Sequence, residues 1–187
     1  MKYAQPAPEM KITNAFWRMA RGLTFAETGK ASEAEKELAA LRDVIKTIPA
    51  DTLLGNNLAL DVMKVPVELL AGEIALASGN KKAGIDALRR AVAAEDLVNY
   101  DEPPDWDLPV REWLGPALLR NGEFAEAEKT YREEIAKHPR SGRALFGLAE
   151  ALRKEGKLSA ATQVRRQFER AWVNADTKLT AAQLYGR

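Results

Sequence analysis

Leu108–Ser141, LPVREWLGPALLRNGEFAEAEKTYREEIAKHPRS, is followed directly by Gly142–Ala175, GRALFGLAEALRKEGKLSAATQVRRQFERAWVNA. Laid one over the other, the two stretches coincide at Leu114/Leu148, Ala117/Ala151, Leu118/Leu152, Gly122/Gly156, Ala127/Ala161 and Arg132/Arg166, a register of 34 residues. That is the period of a helix-turn-helix repeat. Each copy carries apolar residues at steps of three and four: Val110, Leu114, Ala117 and Leu118 in one, Ala144, Leu145, Leu148 and Leu152 in the other. Such spacing makes one apolar stripe on a first helix. A glycine then closes it, Gly122 or Gly156, where a helix end turns into the left-handed region. A second stripe follows, Ala127, Tyr131 and Ile135 in one copy, Ala161, Val164, Phe168 and Trp172 in the other. Ala127 and Ala161 are small, as a close helix crossing requires.

The pattern resembles the tetratricopeptide repeat family. Leu114-Gly115, Leu118, Gly122, Ala127, Tyr131 and Pro139 match the family's motif in one copy, and Leu145, Leu148-Ala149, Leu152, Gly156 and Ala161 in the next. Glu134 and Phe168 depart from it, standing where a small Ala is usual, and no Pro closes the last unit. The resemblance implies an all-α, right-handed solenoid of about four helical hairpins with a C-terminal capping segment. It implies little about function, because the motif residues are packing residues.

The first unit spans 11–48. Phe16, Met19, Ala20, Leu23 and Phe25 form its first helix stripe, Gly22 takes the close-packing position, and Gly29 is its turn. Ser32 and Glu35 have the spacing of a capping box at the start of the second helix, whose stripe runs Ala34, Leu38, Leu41 and Ile45. The second unit, 51–98, is too long by 16 residues, since Gly29 and Gly79 are 50 apart. The surplus reads as extra helix over 53–65, hinged by Pro66 into a helix over 67–78. Asn80 is placed to cap the next helix, which carries Ile85, Leu88, Ala91 and Val92. The third and fourth units are 108–141 and 142–175. Residues 1–10, with Pro6 and Pro8, form an extended lead-in to a single domain over 11–187. Opening abruptly on a repeat, the chain reads as the C-terminal part of a longer array. Residues 176–187, with Leu179, Ala182, Leu184 and Tyr185, are expected to cover Phe168 and Trp172 at the open end.

One segment lies outside the repeat. Gly79 and Gly122 are 43 residues apart, nine more than the period, and the surplus falls in an insert loop, 99–107, around Tyr100-Asp101-Glu102-Pro103-Pro104-Asp105-Trp106-Asp107. Adjacent prolines forbid helix there. Aromatic rings, four acidic groups and a stiff backbone suit recognition, because little entropy is lost on binding. Filling an interhelical groove, with Glu102 or Asp105 capping a helix or pairing Arg111, is the structural alternative. This run, leading into Pro109-Val110-Arg111, resembles a hallmark of bacterial repeat proteins of uncertain role.

Composition narrows the function classes. Lys and Arg number 28 against 27 Asp and Glu, a net charge of +1, which predicts no bulk attraction to nucleic acid or anionic membrane. With no Cys there is no disulfide, thiolate metal site or cysteine nucleophile. The N-terminus carries no hydrophobic signal region, and no apolar run reaches the roughly 18 residues of a membrane span. The expected compartment is the cytoplasm, or the periplasm if a longer precursor carries a signal. His138, the only histidine, precedes Pro139 and reads as an exposed turn residue. Glu133-Glu134 and Glu126/Glu128 read as solvated helix surface, and the isolated glycines make no phosphate loop.

The function expected is therefore non-catalytic: an adaptor or scaffold that holds a protein or peptide, with no cofactor or metal. Its contact residues are expected at the insert and just after it, Tyr100, Glu102, Trp106, Arg111 and Trp113, and in the groove at Arg120, Phe146, Glu150, Arg153 and Lys154. By tetratricopeptide register the groove is lined by Phe16, Met19 and Leu23, then Leu69, Glu73 and Leu76, then Glu112, Pro116, Leu119 and Arg120, and lastly Phe146, Glu150, Arg153 and Lys154. It is apolar early and basic late, which suits an acidic peptide or a C-terminal carboxylate. Phe146 and Glu150 stand where the family's chaperone-tail clamp has Lys and Asn, which argues against that ligand. The rival readings are a small-molecule or metal-binding module or enzyme part centred on 100–106, and a structural homo-oligomer such as a homodimer.

Overall fold

In the structure, a computed structural model, residues 4–181 and 184 are described. Among them the chain is all-α apart from one two-stranded hairpin. It divides into two compact units, Met1–Val110 and Arg111–Arg187.

In unit 1, α1 (Lys11–Glu27) and α2 (Ala31–Lys46) form the first hairpin, and α4 (Lys64–Ala77) and α5 (Lys81–Glu95) the second. α1 packs on both α2 and α4. Gly22 permits the approach of α4, since a Cβ there would lie 2.6 Å from Leu70 Cδ2. Between α1 and α2 the carboxylate of Glu37, 5% exposed, is held by Arg18 at 3.0 Å and Arg21 at 2.8 Å. The lead-in folds back instead of extending throughout. The Met10 amide donates to the Ala7 carbonyl, and buried Asn14 donates to the Ala7 and Met10 carbonyls while accepting from Gln5.

Three details of unit 1 correct the sequence reading. α2 starts at Ala31 with Lys30 as its cap residue, and no side chain caps that position, so Ser32 and Glu35 form no capping box there. The surplus residues after α2 are not a helix hinged at proline. They form a tight hairpin of β1 (Leu53–Leu54) and β2 (Asn57–Leu58), antiparallel with Leu53 opposite Leu58, followed by the one-turn α3 (Ala59–Val62). The turn is Gly55-Asn56, with Gly55 at φ 55°, the glycine-first arrangement of a type II′ turn. Pro66 sits in the first turn of α4, where its missing N–H would have had no intrahelical partner, so it costs no ladder bond.

In unit 2, α6 (Arg111–Asn121) and α7 (Phe124–Lys137) pair, as do α8 (Gly142–Lys154) and α9 (Leu158–Ala171). α7 also packs on α8, and α6 on α8. Tyr131 of α7 occupies the centre, 1% exposed. A Cβ at Gly115 of α6 would lie 2.3 Å from its ring, and one at Gly147 of α8 only 2.1 Å. Two glycines on facing helices thus make the slot for one aromatic ring.

The intra-hairpin turns repeat atom for atom. At Gly29, Gly79, Gly122 and Gly156 the glycine φ lies between 74° and 82°, and a Cβ would meet nothing within 4 Å. Glycine is needed there for its dihedral and not for space. In each case the amide after the glycine donates five residues back and the glycine amide three back, as Lys30 to Phe25 and Gly29 to Ala26 do. This is the Schellman closure of a helix end. Each second helix starts two residues beyond its glycine. Asn80 caps α5 as expected, accepting from the Ala83 amide at 3.2 Å.

Candidate functional site

The insert in unit 1 is explained by the hairpin that the helical reading missed. Asn57, 5% exposed, donates to the Asn99 carbonyl at 3.1 Å and to Asp105 Oδ2 at 2.8 Å, and accepts from the Asn99 amide at 2.8 Å. Asp101 Oδ2 accepts from the Asn56 amide at 2.9 Å. A Cβ on Gly55 would lie 1.9 Å from Asp101 Oδ2 and 2.5 Å from Asp105 Oδ1, so only glycine admits both carboxylates. The two segments that exceed the repeat length are therefore one interlocked body. Two of the loop's four acids face inward onto a backbone turn. This corrects the alternative in which Asp105 caps a helix or pairs Arg111. The missed signal was available: Gly55-Asn56 between Leu53-Leu54 and Asn57-Leu58 is a two-residue hairpin sequence.

What the interlock leaves outward is distinct. Tyr100 is 79% exposed, and its hydroxyl donates to the Glu102 carboxylate. That bond holds the Tyr100 proton and pushes its ionisation above the usual phenol range. On the hairpin, the facing pair Leu53 and Leu58 is exposed as well. Trp106 is half-buried, its ring centroid 6.2 Å from Phe16 and its indole N–H bonded to the Leu108 carbonyl at 2.6 Å. Trp106 is thus an anchor of the loop as much as a contact residue.

The remaining predicted site residues lie in unit 2. Arg111 is 4% exposed and pairs with Glu133 across α6 and α7 at 3.5 Å, a buried structural position instead of an accessible contact. Trp113 and Arg120 are half-buried on α6. Glu150 and Arg153 pair with each other at 2.8 Å, which cancels part of the basic character expected late in the groove. Lys154 is exposed at the end of α8. Phe146 is 3% exposed, 5.2 Å from Phe168 and beneath the Arg165 guanidinium, so it is covered in the folded chain. Met19, Leu69, Glu73 and Leu119 are likewise buried.

The acidic residues of α7 are not merely solvated. Glu134 is 1% exposed, its Oε1 2.6 Å from His138 Nδ1, so His138 is tied to the helix although its side chain is about half exposed. Glu128 is held by Lys157 at 2.6 Å and Arg132 at 2.7 Å. The Lys157 hydrogen bond lowers its ionisation from the ordinary 4.5 to about 2. Glu112 shifts the other way. Burial raises it, against the Ser141 hydroxyl that donates to it at 3.0 Å and the Arg143 guanidinium at 3.9 Å. Among the described residues no group of three or more His, Cys, Asp or Glu is arranged to hold a metal ion.

Residues 114–175, the two hairpins around Tyr131, match the tetratricopeptide repeat profile. The likeness to that family lies in these two hairpins. A solved structure with the same fold is the crystal structure of MamA protein, 19% identical, covering 89% of this chain and 79% of that one at a TM-score of 0.58. At that identity the likeness concerns the fold, an all-α array of helical hairpins. No functionally curated protein matches the chain. Tetratricopeptide repeats are scaffolds for protein interaction, and among the described residues no helix is long and apolar enough to cross a membrane.

Proposed function

We propose that this tetratricopeptide protein is a non-catalytic scaffold that binds a protein partner through the interlocked hairpin and insert of unit 1, with Tyr100, Leu53 and Leu58 as contacts and Glu102 beside them. The observation that carries this reading is the contrast between base and tip. The base is fixed by the bonds of Asn57 and Asp101, while a tyrosine 79% exposed and a leucine 67% exposed project from it. A pre-ordered aromatic and aliphatic surface loses little entropy on binding and supplies the kind of side chains that dominate interfaces. The inward use of Asp101 and Asp105 favours this over a metal or small-molecule site at the same loop, since those carboxylates already serve the hairpin turn.

Affinity capture from host lysate on the wild type and on a folded Tyr100→Ala/Leu53→Ser variant tests it. A protein held by the wild type and depleted from the variant is the expected outcome. A protein held equally by both refutes this surface, and a wild type that holds none refutes the scaffold reading.

A further inference from the structure

Beyond α9 the chain reverses. Trp172 lies against Gly142, the first residue of α8, where a Cβ would come within 2.1 Å of the indole, and it stacks on Phe168 at 5.8 Å. Its indole N–H donates to the Thr177 carbonyl at 2.6 Å, and the Ala175 amide donates to the Trp172 carbonyl at 3.1 Å. These bonds set a turn at the N-terminal end of α8. Past the turn, Leu179 and Leu184 share a cavity of about 100 Å³ with Glu112 and Pro116 of α6 and Arg143 and Phe146 of α8. α6 and α8 are the first helices of their hairpins, and in a tetratricopeptide pair that face is the groove. Of the segment expected to cover Phe168 and Trp172, Thr177 bonds the Trp172 indole, while Leu179 and Leu184 go to the groove. Ala182 and Tyr185 lie outside the described residues.

We propose that residues 178–181 and Leu184 act as a resident strap in the α6–α8 groove, held by Leu179 and Leu184 and exchangeable for a peptide that presents two apolar side chains at similar spacing. Both leucines are only half-buried and Thr177, Lys178 and Thr180 are exposed, so the strap buries little side chain along a short stretch. Glu112 and Arg143 put one charge of each sign at the cavity, so the apolar pair and not net charge selects the occupant. A weak strap still closes the groove at rest, because a short tether supplies an effective concentration on the order of millimolar. The proposal goes beyond the surface in unit 1 and stands or falls without it.

The test uses a fluorescein-labelled synthetic peptide of residues 175–187 and reads its anisotropy on the full chain and on a full chain carrying Leu179→Ser/Leu184→Ser, with folding of both checked by circular dichroism. The released variant binds the peptide, and the wild type binds it about tenfold more weakly because its own strap competes. Hydrogen exchange places the bound peptide by protecting amides of α6 and α8. Equal affinity for the two proteins, no binding to the folded variant, or protection confined to other helices overturns the strap. Should the double substitution unfold the chain, Leu179→Ala alone serves with the same outcomes. Loss of a partner through Tyr100 reads unit 1 only, so failure of one proposal leaves the other intact.

Discussion

Gly147→Ala tests the packing logic of unit 2 most directly. In a helix interior, alanine for glycine is favoured by about 1 kcal/mol, because it restricts the unfolded chain and exposes less backbone. Here the new Cβ would lie 2.1 Å from Tyr131 Cζ, more than an ångström inside ordinary contact. The ring cannot retreat toward α6, because a Cβ built on Gly115 would already lie 2.3 Å from it, so that side of the slot is full. Overpacking of this kind costs about 1–3 kcal/mol, and confinement on both sides puts the cost at the upper end. The net expectation is a loss of about 1–2 kcal/mol, which in a unit of this size lowers the melting temperature by about 5–10 °C. Calorimetry of wild type, Gly147→Ala, Tyr131→Leu and the double variant completes the cycle. With the ring removed, Gly147→Ala turns neutral or stabilising. A Gly147→Ala protein that melts at or above the wild type, or a penalty unchanged in the Tyr131→Leu background, refutes the two-glycine slot.

Two further outcomes follow from the geometry. Asn57→Ala removes three hydrogen bonds at a buried position and leaves the Asn99 amide and carbonyl unmatched, a loss of about 2 kcal/mol, with faster hydrogen exchange at the Asn56 and Asn99 amides while α7–α9 stay protected. Glu128 ionises at about 2 in the folded chain against an ordinary 4.5, so its contribution is present above pH 4.5 and lost as pH falls toward 2; Glu128→Gln flattens that part of the stability profile, and an unchanged slope refutes the Lys157 pairing as its source.

The helical hairpins were legible because each rests on a local signal: an apolar stripe, a glycine whose dihedral no other residue takes cheaply, and, at α5, an asparagine cap. Helix patterns with no such punctuation misled. Leu53 to Val65 has enough apolar residues to imitate a helix, yet Gly55-Asn56 outweighs them, since a glycine-first turn closes a hairpin in two residues. Asp101 and Asp105 looked like outward charge because their partners, the Asn56 amide and the Asn57 side chain, lie 45 and 48 residues earlier in the chain. Glu134 and Arg111 were taken for accessible residues because burial of a charge depends on neighbours from other helices, which a single stripe does not reveal. The strap was invisible for the same reason: nothing local to Leu179 says that Trp172 turns the chain toward α8.

The uniform glycine turns carry a consequence for how such a chain tolerates change in length. Each turn fixes the phase between its two helices to the residue, and an added residue there would rotate the second helix by roughly 100° and swing its apolar stripe out of register. The connections between successive hairpins carry no such constraint. Both length increases that this chain contains, the β-hairpin after α2 and the loop after α5, fall in those connections. Such joints are therefore the positions at which foreign segments can be grafted while every helix keeps its phase, and the glycine turns are the positions at which a single inserted residue unbuilds a hairpin.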